Sequence, residues 1–412
     1  MRALARSSLL APFQVRSFRY QYPADLLTSW GTEMENLILG WYILVTTGSV
    51  VLLTLFGSLQ YFGTLVAPVF GMAGDRLGQR VVMCTMRAFY AVLASILMVL
   101  AFTGVLRPLH VFIIAAVSGL VRPADLAMRA ALVAETMPTD RFVSAMGASR
   151  TTSDSARTVG SLAGAGLFAA LGLGPAYVFI TSFYLIGFLL TLGVGGVRHV
   201  ARAVRPSLWR DLRDGLEHLW DTPSSLAALW LAFLVNLTAF PMTSGLLPYV
   251  ARDVYHADQT GLGTLISSFA LGSLLGSILI SIIGRSIRPA RMMIVFALGW
   301  YAMLLAFVRT PDPITGAGVL ICAGLSQSLS LVPMSAMLLH GAGAYRGRVM
   351  GMRMLAIYGL PLGLLAAGAL IERIGFVATA TAYCVVGMAL TLAIALRWRA
   401  ALWPLHAPAN AQ

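Results

Sequence analysis

The sequence predicts an all-α membrane protein of twelve transmembrane helices in two pseudo-symmetric six-helix bundles, on three observations. Of its 412 residues, 58% are hydrophobic and 11% charged, more apolar surface than a water-soluble fold can hide. Apolar runs recur from one end to the other, each near the ~20 residues a helix needs to cross ~30 Å of hydrocarbon. Shifting the chain by about 205 positions aligns Gly119-Leu120 with Gly324-Leu325 and brings Arg141 onto Arg346, with Met146-Gly147 and Met350-Gly351 close behind. Backbone groups in lipid must bond within their own segment, so such runs are helices unless they close a barrel. The ~10-residue alternating segments of a barrel are absent.

Charge and Gly/Pro punctuation divide the chain into expected spans. They are Pro23–Thr47, Val50–Ala73, Val81–Thr103, Pro108–Met137, Phe142–Leu171 and Pro175–Val197, then Ser224–Val250, Gly261–Ile283, Ala290–Val308, Pro313–His340, Val349–Ile371 and Phe376–Leu396. The domain reading is a tail over 1–22, a first bundle over 23–197, a linker over 198–223, a second bundle over 224–397 and a tail over 398–412. In the linker, Leu208, Leu212, Leu216 and Leu219 share one helical face opposite Arg210, Arg213, Asp214 and Glu217. This pattern fits a helix lying on the membrane surface, a hinge between the halves.

Alternate loops differ in charge. One set gathers Arg2, Arg6, Arg16, Arg19, Arg76, Arg80, Arg87, Arg141, Arg198, Arg202, Arg205, Arg210, Arg213, Arg285, Arg288, Arg291, Arg346, Arg348, Arg397 and Arg399, and the other holds only Arg107, Arg252, Arg309 and Arg373. Loop arginines orient helices toward the cytoplasm, which places both termini and the linker inside. The net charge of +13 is carried by arginine alone. It is spread through short loops instead of one soluble face, so nucleic acid is not an expected partner. The Arg- and Ser-rich head resembles a transit peptide in composition, but it serves equally as a cytoplasmic anchor, the reading taken here. Cys84, Cys322 and Cys384 sit in three different runs, with no disulfide, metal or redox spacing. No nucleophile elbow, P-loop or metal-ligand spacing appears either, so neither an enzyme nor a cofactor is expected.

Ionisable residues within spans cost a few kcal/mol each at the bilayer centre unless paired or wet, and so mark candidate function. Helix 4 carries Arg122, Asp125 and Arg129 along one stripe; helix 5 carries Arg150, Asp154 and Arg157 along another. Helix 1 has a stripe of Asp25, Ser29, Thr32, Asn36 and Gly40, with Glu33 on its nearer edge and Glu35 on the other. The buried charge network is therefore expected to be Arg122, Arg129, Arg150 and Arg157 against Glu33, Glu35, Asp125 and Asp154, a sum of zero. Arginine keeps its proton, so proton traffic would use the carboxylates. Glu33 ranks first, Asp154 second, with Glu35 a further candidate and Asp125 read as a partner of Arg129. The competing reading makes all eight groups interhelical latches. Asn36, Asn236, Gln327 and Tyr358 are expected to line a substrate cavity. Duplicated bundles of this kind commonly bind substrate between the repeats at the midplane. Gly160, Gly164, Gly272 and Gly276 form small-x3-small pairs, read as close helix packing.

The segment Gly71-Met-Ala-Gly-Asp75-Arg76-Leu-Gly78-Gln-Arg80 resembles the G-x-x-x-D-R-x-G-R/K-R loop of the major facilitator superfamily, departing from it at Gln79. That resemblance implies a cytoplasmic gate in which Asp75 meets the N-terminus of helix 11, near Arg346 and Arg348. Leu39-Gly-Trp41, the Asp75 loop, Asp125 through Arg129, Ala156-Arg157-Thr-Val-Gly160 and Pro248 are similar to bacterial enterobactin exporters and macrolide efflux proteins. Glu33, Glu35, Arg150 and Asp154 depart from that pattern. The resemblance implies proton antiport that exports a small organic molecule from a bacterial inner membrane, by a monomer whose partners are substrate, protons and lipid. An uptake permease or facilitator for an anionic metabolite stays open, as does a non-transporting scaffold or sensor with the same fold.

Overall fold

In a computed structural model of the chain, residues 11–138, 141–195, 220, 222–283, 288–339 and 352–403 are described, and their regular structure is helical throughout. The twelve spans are α1 (Arg16–Thr47), α2 (Val50–Leu59, a 3-10 turn Phe62–Leu65, then Ala67–Leu77), α3 (Gln79–Phe102), α4 (Pro108–Thr136), α5 (Phe142–Ser155, a π segment Ala156–Gly160, then Ser161–Leu171) and α6 (Leu173–Leu192). They continue as α7 (Pro223–Thr238, Phe240–Ser244, Leu247–Tyr249 and a π segment Val250–Val254), α8 (Gln259–Ile283), α9 (Pro289–Phe307), α10 (Pro313–Leu339), α11 (Met352–Ile374) and α12 (Phe376–Arg397). Eight of these helices are long and apolar enough to cross a membrane. The other four, α1, α2, α5 and α7, carry the acids or the helix breaks. The eight present Val92, Val99, Leu189, Ile278 and Leu390 outward, each about half exposed, which only an apolar solvent tolerates on this scale.

The first helix starts at Arg16, seven residues before the expected Pro23 (23 − 16). Proline favours a helix start, yet Pro23 lies inside the helix. The added turns are held by an aromatic cluster of Phe13, Phe18 and Tyr22, with ring centroids 5.1–5.9 Å apart, packed against Val133, Met137 and Ala145. Tertiary burial here outweighs the local start signal. The expected linker over 198–223 lies almost wholly outside the described residues, as do the start of helix 11 with Arg346 and Arg348, the Asp75 side chain and both tail ends.

The chain clusters into two compact units, Met1–Val204 with Pro248–Ser267, and Arg205–Leu247 with Ser268–Gln412. In the first, α1 lies at the centre, against α2, α4, α5 and α6. In the second, the first segment of α7 takes that role, against α10, α11 and α12. The internal repeat has a structural counterpart. A Cβ on Gly119 would lie 2.0 Å from the Leu59 carbonyl oxygen at the break in α2, and one on Gly324 would lie 2.0 Å from the Phe269 oxygen of α8. Each glycine lets two helix backbones touch, which no side chain would permit. Gly160 and Gly164 likewise face Trp30 and Met34 of α1, and Gly272 and Gly276 face Ile321 and Leu325 of α10.

Candidate functional site

The buried charges of the first unit form two clusters at different depths along α1. Asp25, about 13 Å along the helix from Arg16 at 1.5 Å per residue, is fully buried and paired with Arg87 of α3, also fully buried. Arg87 also donates to Thr191 of α6. Arg129 of α4 pairs with Asp125 one turn earlier at 2.6 Å and lies 3.7 Å from Asp25. It donates further to the Ser29 hydroxyl at 2.5 Å and to the Asp25 backbone oxygen at 3.2 Å. Two carboxylates and two guanidinium groups thus tie α1, α3, α4 and α6 together with no net charge. Arg87 was expected in a loop; its position eight residues into α3 instead carries it to the buried partner.

The second cluster sits near the midpoints of α1, α4 and α6. Arg122 donates to Glu35 at 2.6 Å and to the Gln60 side-chain oxygen at 3.0 Å, and it also bonds Asn36. The Tyr184 hydroxyl donates to the same Glu35 oxygen at 3.0 Å and meets Thr32 at 3.2 Å. The break in α2 makes this geometry. Helix ends at Leu59, so Gln60 swings toward α4 where the backbone of Gly63 closes on Gly119 and Leu120. Pro123, following Arg122, cannot donate to the Gly119 carbonyl, which loosens α4 at the same level.

Glu33 stands apart. It is half-buried and makes no hydrogen bond or ion pair among the described residues; the charges acting on it most are Arg157 and then Arg122. Arg157 lies in the π segment of α5, a geometry that swells the helix by one residue and recurs at functional sites. Its side chain is exposed and without an ion-pair partner among the described residues. Two expected members of the buried network, Arg157 and Arg150, are thus exposed; Arg150 is 73% exposed, and its contact to Asp154 is 4.0 Å. Arg157, two turns on from Arg150, is the charge that acts most on Glu33.

Of the expected cavity residues, Asn36 is engaged by Arg122, and Asn236 donates to its own helix at Ala232. Gln327 is buried with no hydrogen bond among the described residues, while Tyr358 adjoins the start of the second helical stretch of α11. Thr238, a hydroxyl that the sequence offers for the cavity, is instead buried 2.6 Å from the Tyr301 hydroxyl of α9, a partner not legible in the sequence. In the gate segment, Gly71, Asp75 and Arg76 lie on the last part of α2, and Gly78 at φ 93° turns the chain directly into α3. Gln79 is buried against Gly74, and Arg80 bonds the Leu192 carbonyl at the end of α6.

The sequence pattern of the Major Facilitator Superfamily matches residues 24–360. The chain belongs to that superfamily. As a member it is a multi-pass membrane transporter of the secondary type, not an enzyme. No curated protein matches it by sequence. Solved structures share the fold at low identity. The nucleoside transporter NupG superposes with a TM-score of 0.68 at 14% identity, covering 94% of this chain and 99% of the other. The human organic anion transporter MFSD10 (TETRAN) gives 0.64 at 15%, covering 92% and 99%. A D-xylose-proton symporter gives 0.66 at 12%, covering 92% and 96%.

Proposed function

We propose that this superfamily member is a proton antiporter that exports a small organic molecule from a bacterial cell, as a monomer in the inner membrane with both termini cytoplasmic. The observation that carries the reading is the contrast between Glu33 and Glu35. Glu35 is locked by Arg122 and Tyr184, whereas Glu33, two residues away, has no such partner among the described residues. A carboxylate near the bilayer midplane without a fixed counter-ion is the group whose charge a conformational change alters most readily, the minimum for coupling. On this reading Glu33 carries the proton, Glu35 and Asp125 serve as permanent counter-ions, and Asp154 is demoted to a flanking group.

Exposed Arg157, the charge acting most on Glu33, supports a substrate bearing negative charge. The Gly71–Arg80 segment serves as the cytoplasmic gate by its resemblance to the superfamily loop. Related folds transport a nucleoside, an organic anion, and a sugar with a proton, so polar organic solutes are the class to test.

Compounds retained by a deletion strain supply the candidates, and inverted vesicles test them. Substrate accumulation with proton release from the lumen is expected, and Glu33→Gln should keep substrate exchange while abolishing the pH response. Proton flux in the same direction as substrate would replace export with symport. Accumulation indifferent to a pH gradient would remove coupling.

A further inference from the structure

Helical serines and threonines ordinarily return their hydroxyl to a carbonyl one turn back in the same helix. In α8, Thr264 does so, donating to Thr260 at 2.9 Å. Ser267, three residues on and buried, donates instead to the Thr158 carbonyl of α5, at 2.9 Å. The opening turns of α8, through Ser267 itself, belong with the first unit. Gly263, one turn before Ser267, makes the approach possible: a Cβ there would lie 2.5 Å from that of Ala165, so a larger residue would hold α8 away.

Thr158 lies in the π segment Ala156–Gly160, where the Ser161 N–H reaches back five residues to the Ala156 carbonyl. The added residue leaves that turn with a carbonyl more than its own ladder can pair, and Ser267 supplies a donor from outside. On its other side the turn is gripped by α1. Trp30 donates to the Ser155 hydroxyl at 3.3 Å, and its Cα would lie 3.4 Å from a Cβ on Gly160. Arg157 stands between the two grips. Glu33 shares the face of α1 that meets α5, because it falls between Trp30 and Met34, which face Gly160 and Gly164. Its side chain leans toward the helix N-terminus, and so toward the level of the π segment. Around Glu33, besides Arg157, stand Arg122 of α4 and the Tyr61 phenol at the break in α2.

We infer that Ser267 is a positioning residue for Arg157: its hydroxyl holds the π segment in place and so keeps the guanidinium acting on Glu33. Without that donor, the spare carbonyl finds a partner when the turn rewinds as α-helix, a register step of about 100° around the axis and about 1.5 Å along it. Arg157 then turns away from Glu33, while Arg122 stays, fixed by Glu35 and Gln60. Ser267 acts through the backbone of Thr158 and has no bond to either charge. The consequence for coupling rests on the reading of Glu33 as the proton carrier; the grip on Arg157 does not.

Dicyclohexylcarbodiimide, which adds to protonated carboxyl groups in apolar surroundings, tests this without a substrate. Labelling of Glu33 in the full detergent-solubilised chain at neutral pH is followed by mass spectrometry of its peptide. Arg157→Gln should speed the labelling about tenfold, as when a carboxylate loses a neighbouring cation, and Ser267→Ala should speed it at least ~threefold. Adding Ser267→Ala to Arg157→Gln should change nothing further, because the two act in series. Thr264→Ala, which removes a hydroxyl that stays within α8, should label like the parent. Parent-like labelling of either Ser267→Ala or Arg157→Gln, an equal rise in Thr264→Ala, or effects that multiply in the double variant would overturn the positioning role. Failure of antiport would show elsewhere, as vesicle accumulation indifferent to a pH gradient, and would leave this labelling pattern as expected.

Discussion

Replacing Asp25 by Asn tests whether the deeper cluster holds the first bundle together. Asp25 and Arg87 have fully buried side chains, and Arg129, 7% exposed, shares Asp25 at 3.7 Å. The four charges of Asp25, Arg87, Arg129 and Asp125 sum to zero. Asp25→Asn leaves two guanidinium groups facing one carboxylate, so a positive charge is stranded where water does not reach. Breaking a buried pair from one side costs about 3–5 kcal/mol, which corresponds to a drop of at least ~6 °C in melting temperature at ~2–4 °C per kcal/mol. Adding Arg87→Gln restores neutrality while the 2.6 Å Arg129–Asp125 pair stays intact, so the double variant should recover about 2 kcal/mol of that loss. A thiol-reactive fluorogenic dye reports unfolding through Cys84 of α3, which is partly buried and free. A single variant that melts with the parent, or a double variant less stable than the single, would falsify the account of a charge-balanced latch.

Further outcomes are expected. Tyr184→Phe removes one hydrogen bond to Glu35 and one to Thr32, so it should cost about 1 kcal/mol and slow transport without abolishing it; Arg122→Gln should abolish it, read as substrate flux in vesicles. Gly119→Leu should prevent accumulation of folded protein, because its Cβ meets the Leu59 carbonyl at 2.0 Å, whereas Gly71→Ala, with open space around the new methyl, should melt within about 1 °C of the parent. Asp312 is held below the usual carboxylate range, first by the Thr315 N–H and then by the Thr315 hydroxyl. A depressed folded pKa contributes stability at neutral pH that is lost as pH falls below about 4. The parent should therefore lose more stability than Asp312→Ala between pH 5 and 3, and parallel acid melts of the two would remove the cap from the account.

The membrane fold was legible in the sequence because its cause is local. A run of about 20 apolar residues must become a helix in lipid wherever its neighbours lie. The repeat was legible for a related reason: Gly119 and Gly324 do the same steric work in each half, so the same residue type stands at both places.

Which charges meet was not legible, because pairing depends on where six helices cross and at what depth. Wheel geometry put Glu33 nearer the polar stripe of α1, yet Arg122 and Tyr184 approach from the other edge and take Glu35. Arg87 read as a loop residue, and only its approach to Asp25 makes it part of the core. Gln60 reaches Arg122 because α2 breaks at Leu59, where the backbone must pass Gly119. Arg150, on the same stripe as Arg157, is left outside. Apolar length sets the number of helices, while non-local contact sets the partner of each charge, since a buried ion is defined by what surrounds it in three dimensions.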